Sequence, residues 1–176
     1  PEGLYALDRL AQQVVVFSPE GRALRAVGSE TLVQPRALAV DDAGRIFVGD
    51  DADLPIHIHA AEQTGEVEAS LKFSGQRPVE WLLNNAPLDQ RWCLIHATHT
   101  TDAEAGGMAQ RGVVAGLCPV TEANLGDGIF PMVHYQREQG AFGIGTDSNV
   151  LIDAGEELRW IEYVQRLTHR RRNLLA

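Results

Sequence analysis

From residue 54 onward, short apolar segments alternate with helical sequence, and this alternation restricts the possible folds more than any other feature of the chain. Strand-like segments are predicted at about 55–59, 92–96, 113–118 and 142–147. Alternating strands and helices of this length are typical of βα units around a parallel sheet. Residues 54–176 are therefore predicted to form four βα units, with parallel strands in chain order and helices on one side.

The helical segments carry recognisable start and stop signals. Helices are predicted over 64–74, from 78 through 83, from 101 through 110, over 130–138 and over 154–173. Thr101 and Glu104 have the spacing of a capping box. The segment 119–128, with its proline and glycines, is predicted as a loop. The last helix is expected to pack through one apolar side made of Leu158, Ile161, Val164 and Leu167.

Residues 1–53 have a different pattern, with hairpin-like spacing of short strands. Strand signals at 14–17 and 37–40 run into turn sequences, and residues 3–8 are repeated in altered form at 44–50, about 42 positions later. The stretch "QPRALAVDDAGRIFVGD" (34–50) resembles the NHL repeat of β-propellers. The resemblance implies a separate, propeller-blade-like antiparallel segment over residues 1–53.

Composition excludes some classes of partner. The formal net charge is −9, whereas proteins that bind nucleic acid usually present a basic surface. Four arginines (166, 170, 171 and 172) end the last predicted helix, where the helix dipole favours cations, so they are interpreted as a solvated helix end.

There is no apolar run long enough to span a membrane, no signal peptide, and only two cysteines, both in apolar segments. We expect a cytoplasmic protein without nucleic-acid or membrane partners.

Polar side chains with catalytic potential follow the predicted strands where each one ends. They are His59 and Glu62 after the first strand, His96 after the second, Thr121 and Glu122 after the third, and Asp147 and Ser148 after the fourth. Because parallel strands end at the same edge of a sheet, these residues should lie together. Two histidines and two acids at such an edge indicate a metal hydrolase site.

The remaining histidines are given structural interpretations. His57 and His59 should point to one face of their strand, with Ile56 and Ile58 buried on the other. His57 is interpreted as a structural residue. His99 and His134 are interpreted as surface residues or as residues behind the site, and His169, on the last predicted helix, as structural.

Six segments of the second region resemble the amidohydrolase superfamily, most closely its formimidoylglutamate deiminases. They read "HIHAAEQ" (57–63), "QRPVEWLLNN" (76–85), "RWCLIHATH" (91–99), "GLCPVTEANLGDGIFP" (116–131), "FGIGTDSNV" (142–150) and "EELRWIEYVQRL" (156–167). The resemblance implies part of a (β/α)8 barrel of the metal-dependent hydrolase type, with Zn²⁺ as cofactor. It also implies a small-molecule substrate, N-formimidoyl-L-glutamate, which is hydrolysed to N-formyl-L-glutamate and ammonia in histidine degradation.

The resemblance also implies a role for each site residue. His59 and Asp147 would bind zinc, which lowers the pKa of a water molecule toward neutrality. Glu62, His96 and Asp147 would be catalytic, with Asp147 taking a proton from the water and Glu62 carrying one to the amidine nitrogen. Thr121, Glu122 and Ser148 are predicted to line the substrate pocket, with a turn-forming role as the open alternative for the loop 121–126.

The chain departs from the superfamily pattern before residue 54. The superfamily's first strand supplies a His-x-His pair to the metal, and the only such pair here, His57 and His59, already belongs to the fifth-strand motif. A closed barrel needs about 250 residues. The chain alone is therefore expected to bind zinc weakly and to be weakly active or inactive, unless a homodimer or a complementing chain completes the site.

A noncatalytic alternative is also open at the level of sequence. In it, the propeller-like segment serves as an interaction surface, and the hydrolase residues are relics. Bound zinc would distinguish the two hypotheses.

Overall fold

The computed structural model describes residues 4–32, 34–40, 46–50, 55–148 and 151–175. The chain divides into two compact units, Pro1–Leu54 and Pro55–Ala176. Two sequence-based predictions fall outside the described residues: the turn at 41–44, and the end of the "FGIGTDSNV" segment at Asn149 and Val150.

The first unit is antiparallel β-structure. Strands β1 (Leu4–Asp8), β2 (Gln13–Phe17) and β3 (Ala23–Val27) form one sheet, and β4 (Pro35–Val40) pairs with β5 (Ile46–Asp50) in another. On β2, Val14 and Val16 are buried and alternate with less buried neighbours, as expected for a strand with one covered face.

The NHL-type prediction for this unit is not borne out. A propeller blade is one four-stranded sheet. The strands in the described part of residues 1–53 instead form one sheet of three and one of two. The antiparallel pairing itself is as predicted, because it follows from short strands joined by tight turns.

The second unit contains the predicted parallel sheet. Its strands are β6 (Ile56–Ala60), β7 (Trp92–His96), β8 (Val114–Leu117) and β9 (Ala141–Ile144), in the order β6-β7-β8-β9. All three pairings are parallel, so the prediction of four parallel strands in chain order is confirmed. The expected burial of Ile58 is wrong: its side chain is 37% exposed, because β6 lies at an edge of the sheet formed by the described strands.

Among the residues that the structure describes in the second unit, six helices accompany these strands. They are α1 (Thr64–Ser74), α2 (Pro78–Asn85), α3 (Asp102–Gln110), α4 (Pro119–Leu125), α5 (Met132–Arg137) and α6 (Ala154–His169). Helix α4 lies where a loop was predicted. Its proline and glycine are the start and stop of the helix, since Pro119 occupies the first turn and Gly126 ends it with φ of 72°. In the described part of the chain, no helix is long and apolar enough to cross a membrane.

Helices and strands of the second unit share one hydrophobic cluster. Its completely buried members include Leu94 on β7 and Ala115 on β8, together with Met108 on α3 and Tyr135 on α5. Full burial of a leucine or methionine side chain stabilises a fold by about 1.5–3 kcal/mol. The cluster therefore holds the sheet and the helices together and fixes the positions at which the strands end.

Helix α6 packs differently from the prediction. Leu158 and Leu167 are 48% and 78% exposed. The buried stripe is Glu157, Ile161 and Gln165, which lie four residues apart. The two polar members are buried because each has a backbone partner: Glu157 accepts a hydrogen bond from the Val120 N–H at 3.0 Å, and Gln165 donates one to the Phe130 carbonyl at 2.9 Å.

Glu104 connects α2 with α3 and gives a testable prediction. Its carboxylate is 5% exposed and accepts hydrogen bonds from Arg77 Nε and the Glu80 N–H, both at 3.1 Å, and from the Thr101 N–H at 2.8 Å. Glu104→Ala leaves these donors without their acceptor. We expect the free energy of unfolding to fall by about 3 kcal/mol, measured by urea denaturation.

The matched control for this prediction is Glu68→Ala. Glu68 lies exposed on α1, so its removal should change the free energy of unfolding by less than about 0.5 kcal/mol. Equal losses for the two variants would show that the buried carboxylate does not connect the helices.

Candidate metal centre

The parallel sheet brings four of the predicted site residues to one edge. His59 lies on β6 and Glu62 just after it, His96 is the last residue of β7, and Asp147 follows β9. Ligand atoms of His59, Glu62 and His96 all lie within 4.8 Å of one another. His96 Nε2 is 3.8 Å from Asp147 Oδ2. Two imidazoles and two carboxylates thus meet where the strands end.

The backbone at this edge turns through an unusual conformation. Ala61, His96, Ala97 and Asp147 have φ between 47° and 66°, in the left-handed region that residues other than glycine rarely adopt. Such conformations cost about 1–3 kcal/mol each and persist only where surrounding contacts enforce them. They turn the chain sharply at the ends of β6 and β7 and after β9.

Hydrogen bonds between neighbouring segments enforce the turn near Glu62. The Ala97 N–H donates to the Ala60 carbonyl at 3.0 Å, which joins the ends of β6 and β7. The carboxylate of Glu66, in the first turn of α1, accepts from the Ala61 and Glu62 N–H groups at 2.8 and 2.9 Å. Glu66 therefore fixes the backbone from which the Glu62 side chain projects.

The turn that carries Asp147 is held in a similar way. The Gly145 N–H donates to the Leu117 carbonyl at 2.9 Å, and the Thr121 hydroxyl donates to the Thr146 carbonyl at 3.1 Å. Thr121 thus connects α4 to the residue before Asp147, a structural role that the sequence-based assignment to the substrate pocket did not include.

His96 is the centre of the cluster and is completely buried. Its Nδ1 lies 3.3 Å from Glu122 Oε1, and its Nε2 lies 3.7 Å from Glu62 Oε1. Burial lowers the pKa of His96, but its contacts with Cys118 and Glu122 and the negative charge of Glu62 raise it more, so that the pKa is about 10. The surrounding carboxylates therefore favour a positive charge at this position.

The donor set fits a divalent metal ion. His96 Nε2 is buried without a hydrogen-bond partner among the described residues, although it faces two carboxylates. Tetrahedral zinc with ligands at about 2.0–2.2 Å separates its donor atoms by about 3.3–3.5 Å. The distances from Nε2 to the Glu62 and Asp147 oxygens, 3.7 and 3.8 Å, need only small side-chain rotations to match. A cation here would also balance the negative charge of the Glu62 and Asp147 carboxylates.

A cavity of about 400 Å³ opens on this cluster. It is lined by His59, Glu62, Thr121, Asn124, Leu125, Asp147 and Ser148. Its volume falls within the range of about 300–1,000 Å³ that is usual for small-molecule sites. Asn124 and Leu125 lie on α4, in the segment 121–126 that was predicted as a loop lining the pocket.

Glu122 is the predicted pocket residue whose position differs most from expectation. It is 5% exposed, is not among the residues that line the 400 Å³ cavity, and accepts a hydrogen bond from the Cys118 N–H at 3.1 Å. Its carboxylate lies beside His96. Ser148, in contrast, lines the cavity directly.

Other polar residues near the strands lie outside this cluster. His57 is exposed on β6 and is not part of the ligand cluster found among the described residues. Arg77 pairs with Glu104 at 3.1 Å and also donates to the His99 carbonyl. Arg91 pairs with Asp89 at 2.8 Å. Both arginines are thus engaged within the fold.

Residues 48–175 match the profile of the Amidohydrolase family. The chain belongs to this family. Its members are hydrolases that depend on a metal ion, which agrees with the donor set at the strand ends.

Two relatives illustrate the range of similar proteins. The chain is 51% identical over 140 residues to the formimidoylglutamate deiminase of Pseudomonas aeruginosa, which covers 80% of the chain and 31% of that protein. It is 35% identical over 136 residues to the 5-methylthioadenosine/S-adenosylhomocysteine deaminase of Natronomonas pharaonis, covering 73% of the chain and 32% of that protein. The chain therefore spans about a third of the length of these relatives.

Two solved structures resemble about two thirds of this chain. An amidohydrolase from Brucella melitensis is 60% identical, with a TM-score of 0.69, over 70% of the chain and 28% of that structure. An adenosine deaminase from Xanthomonas campestris with bound zinc is 31% identical, with a TM-score of 0.63, over 67% of the chain and 28% of that structure. These likenesses agree with the prediction of a partial (β/α) barrel.

Proposed function

We propose that this chain forms part of the active site of a zinc-dependent deiminase that hydrolyses N-formimidoyl-L-glutamate to N-formyl-L-glutamate and ammonia. The observation that carries the proposal is the convergence of His59, Glu62, His96 and Asp147 at one edge of the sheet. The similarity to a formimidoylglutamate deiminase supports this choice of substrate. The noncatalytic alternative has no comparable support, since the propeller resemblance on which it rested is not borne out.

In this proposal, His59 and Asp147 hold the zinc ion. His96 Nε2 lies close enough to the Glu62 and Asp147 carboxylates to contact the ion or the reacting group. When bound, zinc supplies Lewis-acid chemistry that makes water acidic enough to ionise near neutral pH. Further ligands would come from outside the chain, in the same protein or a partner subunit, because catalytic zinc sites have at least three protein ligands.

Glu62 and Asp147 divide the proton transfers. Asp147 lies within 3.8 Å of His96 and lines the cavity, so it can accept a proton from the attacking water. The Glu62 side chain is 26% exposed and also lines the cavity, and it can deliver a proton to the amidine nitrogen. The formimidoyl carbon gains oxygen from water and loses its imino nitrogen as ammonia, while its bond to the glutamate nitrogen is kept. One water is therefore consumed for each ammonia released.

The cytoplasm is the proposed location of this reaction. Cys93 and Cys118 are both buried and unpaired, as predicted for buried thiols. Free thiols are usual in reducing compartments.

A chimeric enzyme tests the proposed function. The aligned 140 residues of the P. aeruginosa deiminase are replaced by those of this chain, and ammonia release is measured with zinc supplied. We expect the chimera to retain at least about a tenth of the parent's kcat/KM for N-formimidoyl-L-glutamate, since the parent supplies the remaining ligands. 5-Methylthioadenosine and S-adenosylhomocysteine serve as control substrates and should release no ammonia.

Two results would contradict the proposal. One is a chimera that folds and binds zinc but does not act on N-formimidoyl-L-glutamate. The other is faster ammonia release from either control substrate. The chain without its fusion partner, assayed in parallel, is expected to turn over below about 1 per second, a tenth of the typical enzyme rate.

A further inference from the structure

Glu122 is a buried acid directly behind the candidate metal centre. Glu122 is 5% exposed. Its Oε1 lies 3.3 Å from His96 Nδ1 and accepts a hydrogen bond from the Cys118 N–H at 3.1 Å. Burial of a carboxylate is costly unless it is hydrogen-bonded. Its hydrogen-bonding partners are His96 and the Cys118 backbone, and the cavity beside His59 and Asp147 is lined by other residues.

The two nitrogens of the His96 ring face different groups. Nδ1 faces Glu122, while Nε2 faces the Glu62 and Asp147 carboxylates at 3.7 and 3.8 Å. A carboxylate oxygen accepts hydrogen bonds, so we place the proton of the contact with Glu122 on Nδ1 of His96. This leaves Nε2 of the completely buried ring directed at the centre.

We infer that Glu122 is a positioning residue: by accepting the Nδ1–H of His96 it holds the ring so that Nε2 points into the candidate metal centre. The catalytic meaning of this orientation rests on the proposed function, whereas the hydrogen bond itself does not. Carboxylates that orient a histidine in this way contribute about 10- to 100-fold to metal affinity or activity in metal sites.

The charge of the proposed substrate argues against a direct contact between Glu122 and substrate. N-formimidoyl-L-glutamate carries two carboxylates, which need cationic or N–H partners. A buried anion would repel them. In this inference Glu122 acts through His96 and does not touch the substrate.

A second buried acid provides a matched control. Glu157 on α6 is completely buried and accepts a hydrogen bond from the Val120 N–H at 3.0 Å, so it also supports α4. This contact is with the Val120 backbone rather than with His96. Replacing Glu157 by Gln should therefore affect stability without changing the hydrogen bond to Nδ1.

The first experiment observes that hydrogen bond by NMR. In the 176-residue chain labelled with ¹⁵N-histidine, the His96 Nδ1–H should give a slowly exchanging resonance, assigned by its absence in His96→Gln. A proton on Nδ1 is present in both the cationic ring and the neutral tautomer selected by Glu122. We expect the resonance to be lost in Glu122→Met and retained in Glu157→Gln.

Glu122→Gln keeps the experiment decisive if Glu122→Met does not fold. An amide oxygen can still accept, but without charge the hydrogen bond is weaker, so the resonance should move upfield and exchange faster. An unchanged resonance in Glu122→Gln, or its equal loss in Glu157→Gln, would overturn the inference.

The kinetic experiment uses the chimeric enzyme. Glu122→Gln should lower kcat by about 10- to 100-fold with KM changed less than about threefold, because a misdirected Nε2 affects the reaction more than binding. A rise in KM with unchanged kcat would identify a substrate contact and overturn the inference. If the chimera has no deiminase activity but the NMR result holds, the proposed function fails while the positioning role stands.

Discussion

Asp147→Asn in the chimeric enzyme is expected to lower kcat/KM for ammonia release by about 10³-fold. The amide keeps the size of the side chain but removes the negative charge and the basic oxygen. Asp147 lies at the centre of the site, with Oδ2 3.8 Å from His96 Nε2, and in our proposal it both binds zinc and accepts a proton. The loss of both roles explains the size of the expected effect, which steady-state kinetics would measure.

Asp153→Asn is the matched control for this variant. The Asp153 carboxylate caps α6 by accepting from the Gly155 and Glu156 N–H groups at 2.7 and 3.1 Å. Asparagine caps helices about as well as aspartate, so activity should change by less than about twofold. If Asp147→Asn retains more than a tenth of the activity, the assignment of Asp147 is wrong.

Gly140→Ala is expected to destabilise the fold as strongly as Glu104→Ala. A Cβ at this position would lie 2.3–2.5 Å from ring atoms of Tyr135, a distance that requires displacement. Tyr135 is completely buried, its hydroxyl contacts the carbonyls of Val113 and Ala141, and its burial raises its pKa to about 12. The ring has little freedom to move, so we expect a loss of about 3 kcal/mol.

The thermal unfolding midpoint measures this effect. A loss of that size corresponds to about 6–12 °C for a chain of this length. Gly65→Ala is the control, because nothing lies within 4 Å of its added Cβ and alanine is the better helix former in α1. A Gly140→Ala variant with an unchanged midpoint would show that Tyr135 can be displaced at low cost.

The sequence predicted the parallel sheet well, because each of its strands is a short apolar segment between helical signals. Helix α1 and the capping box of α3 also agree with the prediction, since caps are local interactions that sequence reveals directly. Helix α4 was missed because Pro119 and Gly126 were interpreted as loop residues. The packing of α6 was misjudged because Glu157 and Gln165 are polar, and only the tertiary fold provides the backbone partners that allow their burial.

The candidate site shows the same division between local and tertiary information. Strand alternation and strand ends placed His59, His96 and Asp147 at one edge, and the structure brings them together. The contact between Glu122 and His96 joins residues 26 positions apart and depends on α4 being a helix. No sequence pattern within either segment would predict which nitrogen of His96 faces that acid.

The left-handed turns at the strand ends set a limit on attempts to engineer this protein. Glycine at Ala61 or Ala97 would relieve an unfavourable backbone conformation, and a search for thermostable variants would select it. The same substitution would give the chain freedom to rotate beside Glu62 and His96. Stability and activity therefore compete at these two alanines, and a variant optimised for heat resistance alone would lose the fixed geometry that places the reactive side chains.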